Sequence, residues 1–144
     1  LEFAFDSREP SNYLPHCYES NCICYTGTHD NPTLPQWCLE SSPDTIRYAR
    51  EYLHLSDSED LAAAIIRSGM DSNANLFIAQ MQDYLGLGAE TRMNEPGALN
   101  PKNWRWRSTP GQFSNQLACH LRTLAAFSHR TFLPTETESG VYSL

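Results

Sequence analysis

The sequence predicts an α/β fold built on a parallel sheet, and three observations lead there. The run Cys22–Thr28 is rich in β-branched, Cys and Tyr residues and has no polar alternation, the pattern of a strand covered on both faces. A comparable run, Asn75–Met81, ends at Gln82-Asp83. Between them lie two segments with helical apolar spacing and their own start signals. Strand, helices, strand is βα alternation, which argues for parallel pairing.

In chain order, Leu1–Phe5 reads as a short apolar strand, and Asp6–Tyr18 as a loop punctuated by Pro10 and Pro15. After the Cys22–Thr28 strand, Pro32 and Pro35 are expected to stop regular structure. Ser42 then serves as N-cap and Pro43 as first residue of a helix whose apolar face is Ile46, Ala49 and Leu53. Ser56 with Glu59 three positions on reads as a capping box for the next helix. That helix buries Leu61, Ala64, Ile65 and Ile66 and stops at Gly69. The Asn75–Met81 strand is followed by a helical turn and glycines over Tyr84–Gly88, then an irregular stretch through Pro96, Pro101 and Pro110. Ser114 caps a last helix carrying Leu117, Leu121, Leu124 and Phe127 at helical spacing. Three strands cannot close a (β/α)8 barrel, so this pattern alone leaves a small open sheet or about a third of a barrel.

Composition narrows the functional classes. A chain of 144 residues with 40% hydrophobic and 19% charged content is globular. A net charge of −7 disfavours nucleic-acid backbones and anionic membranes, so no partner of either kind is expected. No apolar run approaches the roughly 18 residues of a membrane span. Five cysteines, an odd number, favour reduced thiols in the cytoplasm over a secreted disulfide framework. The chain opens on an apolar run without an initiator Met and reads as cut from something longer.

The residues that carry chemistry fall in two blocks. Tyr25-Thr26-Gly27-Thr28-His29-Asp30-Asn31 ends a buried strand, with Trp37 a few residues on. Later come Arg92-Met93-Asn94, Pro96-Gly97 and Asn103-Trp104-Arg105-Trp106-Arg107. An imidazole and a carboxylate at a strand tip stand where barrel enzymes keep their chemistry. A lone His-Asp pair is more often a turn, a cap or a solvated charge, so the context decides. Alternating Trp and Arg suits stacking on single-stranded nucleic acid, stacking on sugar rings, or pinning a loop with the arginines pairing carboxylates. The acidic balance disfavours the first, and the scaffold role is preferred for Trp104 and Trp106. Cys22 and Cys24 share a strand face near Cys17, His16 and His29, but their spacing fits no common zinc motif. A buried pair of small side chains is the preferred account.

In this order the two blocks resemble the C-terminal part of the amylomaltases, the 4-alpha-glucanotransferases of glycoside hydrolase family 77. Leu14-Pro15-His16 resembles a family loop before the catalytic strand, and Gln82-Asp83-Tyr84-Leu85-Gly86-Leu87-Gly88 resembles the segment at the last barrel strand. The resemblance runs from Leu1 to about Arg130. It implies the C-terminal portion of a (β/α)8 barrel over 1–130, about three strands with their helices, followed by a loose tail at 131–144. It also implies transfer of α-1,4-glucan segments to glucose or glucan acceptors with retention, on maltooligosaccharide substrates and without cofactor or metal. Asp30 is implied as the third catalytic carboxylate, the one that holds ring hydroxyls where an oxocarbenium-like transition state forms. His29 is implied as a donor to the same sugar. Asn103 is advanced as a further substrate contact, and Arg92 and Asn94, in the family-like Arg-Met-Asn, are expected to organise their loop.

The nucleophile and the acid/base are implied upstream of the matched region, so the chain alone is expected to be inert. Glu90, Glu95 and Asp83 lie in no matching catalytic motif, and Asp83 is expected to play a supporting part. Pro32 stands where the family usually has an acidic residue. Two rival readings remain: a non-catalytic glucan-binding module, and an inactive truncated remnant. Oligomeric state is not legible.

Overall fold

The computed structural model describes residues 1–5 and 11–131, so part of the first expected loop and nearly all of the expected tail lie outside the described residues. The chain divides into two units, Leu1–Gln112 and one beginning at Phe113.

The first unit is built on a two-stranded parallel sheet. Strands β1 (Ile23–Tyr25) and β2 (Leu76–Ile78) pair with Ile23 opposite Leu76, Cys24 opposite Phe77 and Tyr25 opposite Ile78. Three helices connect them, α1 (Leu34–Glu40), α2 (Pro43–Tyr52) and α3 (Leu61–Met70), and the four-residue α4 (Met81–Tyr84) follows β2. The parallel βα order expected from the sequence is present, with two strands among the described residues rather than three.

Leu1–Phe5 is not a strand. Glu2–Phe5 forms a 3₁₀ turn in which Leu1, Ala4 and Phe5 are buried and Phe3 faces outward. The buried apolar positions are i, i+3 and i+4, the spacing of a helical turn, and a run of five residues is too short to reveal its period. Its start still docks beside the end of β1: the Glu2 amide donates to the Thr26 carbonyl at 3.2 Å.

The expectation of a strand covered on both faces also fails. Cys24 is 1% exposed and Phe77 is half-buried, whereas Ile23, Tyr25, Leu76 and Ile78 stand exposed on the other face. One face meets the helices and the other is apolar and open. Continuous apolarity along the run marks residues suited to cover on both sides, not the presence of that cover.

Helix α1 forms where two prolines suggested a break. Thr33 caps it, its side chain accepting from the Gln36 amide at 3.4 Å, and Pro35 falls in the first turn, where its missing N–H removes no hydrogen bond. Leu34 and Trp37 go into the core, where Phe5 packs against Trp37 and Tyr52 with ring centroids 6.0 and 5.9 Å away. Helix α2 begins as expected, with Ser42 accepting from the Thr45 amide at 3.2 Å and Ala49 fully buried.

The Ser56–Glu59 box exists but caps no helix. Glu59 accepts from the amide and hydroxyl of Ser56, both at 2.8 Å, within the connection between α2 and α3. The N-cap of α3 is Asp60, which accepts from the Ala63 amide at 3.1 Å. Leu61, Ala64, Ile65 and Ile66 are buried, as their spacing requires. Gly69 does not stop the helix. It lies in the last turn, where a Cβ would fall 2.2 Å from the Phe77 ring; the glycine lets α3 lie directly against β2.

The second unit holds α5 (Asn115–Phe127), capped by Ser114, whose hydroxyl accepts from the Leu117 amide at 3.1 Å. Leu117, Leu121 and Leu124 form its half-covered stripe, and Phe127 is exposed.

Gly69→Ala is expected to destabilise the first unit by ~1–3 kcal/mol through overpacking against Phe77. Gly69→Ala combined with Phe77→Leu should regain much of that loss in urea melts. An unchanged midpoint in the single variant would rule out the close approach.

Candidate active site

The site begins at the end of β1. Thr26 is fully buried and its hydroxyl donates to Asp83 Oδ2 at 2.7 Å, while Asp83 Oδ1 accepts from the Leu34 amide at 2.8 Å. The Asp83 carboxylate thus ties the residue that follows β1 to the first turn of α1, where the helix dipole also favours a negative group. Asp83 is 4% exposed, and burial raises its pKa despite these donors. The supporting part expected for Asp83 is a structural one.

Glu2 is buried beside it. Burial, with the Asp83 carboxylate next in weight, pushes Glu2 up to about 8. One of its oxygens, Oε1, has no hydrogen-bond partner among the described residues. Gly27 passes over it so closely that a Cβ would lie 2.9 Å from Glu2 Oε1 and 3.0 Å from Asn31 Cβ. Only glycine leaves the turn this close to the buried carboxyl.

Between these anchors the turn Thr28–Asn31 closes on itself. Asn31 Oδ1 accepts from the amide and hydroxyl of Thr28 at 2.8 and 2.9 Å, and the Asn31 amide donates to the Thr28 carbonyl at 3.0 Å. His29 and Asp30 project from this turn with side chains 56% and 48% exposed, His29 Nε2 lying 3.4 Å from Asp30 Oδ1. Pro32 leads directly into the Thr33 cap, and its carbonyl accepts from Gln80 Nε2 at 3.4 Å.

A second loop grips Asp30 from outside. Asn94 Nδ2 donates to Asp30 Oδ1 at 2.7 Å, Arg92 Nη2 donates to the Asp30 carbonyl at 2.7 Å, and Arg92 Nε holds the Asn94 carbonyl at 2.9 Å. Arg92 and Asn94, read from the sequence only as organisers of their own loop, hold the backbone and the carboxylate of Asp30. Nothing in local pattern shows this, because the partners are more than sixty positions apart.

Trp104 was also read as scaffold. It is 51% exposed and lies against His29 with ring centroids 5.0 Å apart. Its positive φ of 63° and its amide bond to the Met93 carbonyl at 2.6 Å turn it toward the site. Among the described residues Arg107 pairs with no carboxylate; it donates to the carbonyls of Trp104 and Trp106 at 3.2 and 2.7 Å.

Asn103 sits one residue away, with both functions of its amide in use. Oδ1 accepts from the Glu95 amide at 3.1 Å, and Nδ2 donates to the carbonyls of Ala98 and Glu95 at 3.2 and 3.4 Å. The structure therefore brings His29, Asp30, Arg92, Asn94 and Trp104 together and gives Asn103 the task of stapling the loop behind them. Glu90 accepts from the Gly88 amide and Glu95 from Asn100 Nδ2, both within local turns. His16 hydrogen-bonds Tyr52 and takes no part in this cluster. Among the described residues no cluster suits a metal ion, and no helix is long and apolar enough to cross a membrane.

The base of the His29–Asp30 turn borders a cavity of about 800 Å³ lined by Tyr25, Gly27, Thr28 and Asn31 together with Cys17 and Tyr18. A half-open carboxylate fixed by an amide donor, beside an imidazole and an indole face, is an arrangement suited to a polar, neutral ligand with both hydroxyls and an apolar side.

Comparison with known proteins identifies the class. The family profile described as 4-alpha-glucanotransferase (glycoside hydrolase family 77) matches residues 1–112, and the chain belongs to that family. It is similar to the 4-alpha-glucanotransferase of Clostridium butyricum, 43% identical over 82% of this chain and 24% of the relative. With that of Thermus thermophilus it shares 36% identity over 90% of this chain and 27% of the relative. A chloroplastic/amyloplastic 4-alpha-glucanotransferase of Arabidopsis thaliana is 38% identical over 74% of this chain. Among solved structures, the amylomaltase of Streptococcus agalactiae in complex with acarbose superposes with a TM-score of 0.83 at 29% identity, covering 91% of this chain and 26% of that one. The chain spans about a quarter of the length of these bacterial relatives.

Two outcomes follow. Asn94→Ala should speed amide exchange at Asp30 and Asn31 while leaving the global melt nearly unchanged, because the contact is exposed; unchanged exchange would remove Asn94 as a clamp. For Glu2 the folded pKa lies above the unfolded one, so the folded chain holds a proton the unfolded chain has lost. Stability contributed by this group is then full below pH ~4.5, falls as pH rises toward about 8, and levels off above it. Urea melts should show Glu2→Gln flattening that decline and adding a few kcal/mol or less at pH 8.

Proposed function

We propose that this chain is the C-terminal portion of a (β/α)8 glucanotransferase barrel, and that the parent enzyme moves α-1,4-glucan segments to glucose or glucan acceptors with retention. In such a barrel alternate strand residues fill the interior and the others face the surrounding helices. The open face with Ile23, Tyr25, Leu76 and Ile78 suits the interior, and the face with Cys24 and Phe77 suits the helical side. The His29–Asp30 turn follows the C-terminal end of β1, the end where barrel enzymes hold their sites. That all five cysteines are free supports a cytoplasmic setting.

The observation that carries the catalytic part of the reading is the clamped, half-exposed carboxylate of Asp30. Cleavage of a glycosidic bond builds positive charge on the sugar ring, and a carboxylate held rigid in a cleft stabilises that charge more than it stabilises the neutral ground state. Asn94 fixes the carboxylate in advance, so little reorganisation is needed as charge develops. His29 supplies a hydrogen bond to the same sugar, and Trp104, lying against it, offers a flat apolar face. For Asn103, direct contact with glucan requires its amide to exchange the Ala98 or Glu95 carbonyl for a sugar hydroxyl. The nucleophile and the acid/base belong to the upstream strands in this reading. No cofactor takes part.

The test joins this chain to the upstream strands of its parent and follows disproportionation of maltotriose. Activity is expected from the joined protein and none from the 144-residue chain alone. Asp30→Asn in the joined enzyme should lower kcat by ~10²–10³ with the circular dichroism spectrum intact. Turnover near that of the unmodified enzyme would refute the role given to Asp30.

A further inference from the structure

We propose that Cys17 is a reactive thiol, activated by His16 and oriented through Tyr52, at which a small disulfide compound forms a mixed disulfide. Cys17 Sγ lies 3.3 Å from His16 Nε2, and His16 Nδ1 lies 2.9 Å from the Tyr52 hydroxyl. The three side chains form a nucleophile, base and orienting group in line, the arrangement that turns a weak nucleophile into a usable one.

The framework holds this line. His16 and Cys17 sit in a 3₁₀ turn that starts at buried Pro15 and is closed by the Cys17 amide donating to the Leu14 carbonyl at 2.8 Å. Tyr52 is the last residue of α2 and packs edge-on against buried Phe5. Its hydroxyl oxygen also lies 3.5 Å from the His16 backbone amide, which donates to it. An oxygen already accepting one N–H in this orientation also suits acceptance from Nδ1–H. That tautomer leaves the Nε2 lone pair directed at the thiol.

The other cysteines differ. Cys24 is buried, and burial pushes the Cys38 thiol up to about 11. Cys22 is half-covered. Cys119 is exposed like Cys17, but no base hydrogen-bonds its sulfur among the described residues. Exposure alone therefore does not single out Cys17; the imidazole does. Cys17 also lines the cavity of about 800 Å³, which has room for a small disulfide.

The step balances without an outside oxidant. The thiol proton passes to Nε2, and the thiolate attacks one sulfur of the small disulfide. The disulfide's S–S bond breaks as the new one forms, and the departing thiolate takes the proton from the imidazolium. Cys17 is oxidised and the leaving sulfur is reduced. The adduct occupies the cavity whose lining also includes Thr28 and Asn31. Interference with sugar binding would follow only if His29–Asp30 is the sugar site, whereas the thiol chemistry stands apart from that reading.

The test is timed labelling of the full chain with iodoacetamide and, separately, glutathione disulfide, mapped by peptide mass spectrometry. Cys17 should react about tenfold faster than Cys119 with both reagents. His16→Gln, an exposed change that removes the base, should bring Cys17 down to the Cys119 rate while circular dichroism stays unchanged. Tyr52→Phe keeps the ring against Phe5 and should slow Cys17 severalfold. Equal rates at Cys17 and Cys119, or an unaltered Cys17 rate in His16→Gln, would overturn the assignment; an unaltered rate in Tyr52→Phe would overturn the orienting part. None of these readouts depends on glucan chemistry.

Discussion

A single buried carboxylate organises the first unit. Asp83 accepts from the Thr26 hydroxyl on one oxygen and from the Leu34 amide on the other, so a residue of α4 fixes where β1 ends and where α1 begins. The seven positions between Thr26 and Leu34 contain the His29–Asp30 turn. Both ends of that turn are thus set by one group from a distant part of the chain. The cost of desolvating the carboxylate appears in its raised pKa. Removing one of its partners would leave a buried acceptor unsatisfied, which is a heavier loss than a net hydrogen bond is a gain.

Around this point the site is assembled in two layers. The inner layer is the Glu2–Asn31–Thr28 set, which shapes the turn from below. The outer layer is Arg92, Asn94 and Trp104, which fix the carboxylate and the imidazole from above. Asp30 itself is half exposed, yet its position is determined from both sides. Rigidity around an accessible charged group is what a site needs when charge appears on a bound ligand only for an instant.

How much of this was legible in the sequence depends on whether the deciding interaction is local. Helix α2 announced itself because Ser42, Pro43 and the Ile46–Ala49–Leu53 stripe act within three turns. Helix α1 stayed hidden because Pro35 reads as a breaker until Thr33 is seen to cap the segment. The Ser56–Glu59 pair was recognised as a box, but the helix starts after Asp60, and the side-chain pattern alone cannot tell the two. Leu1–Phe5 offered four apolar residues around Glu2, too few for a period. The His29–Asp30 pair was conspicuous. The contacts that hold it were not, since Asn94 and Asp83 reach it only through the fold. Trp104 needed a left-handed backbone to turn toward His29, and no residue pattern announced that.

The uncovered face of the sheet has a bearing on how this polypeptide behaves in water. Ile23, Tyr25, Leu76 and Ile78 stand together across two paired strands. Such an exposed apolar patch favours association with another apolar surface. Left in solution by itself, the molecule would find its nearest shelter in a second copy of itself, with only a net charge of −7 to hold the copies apart. Added salt screens that repulsion without weakening the attraction, so its solubility should be lost first in concentrated buffer.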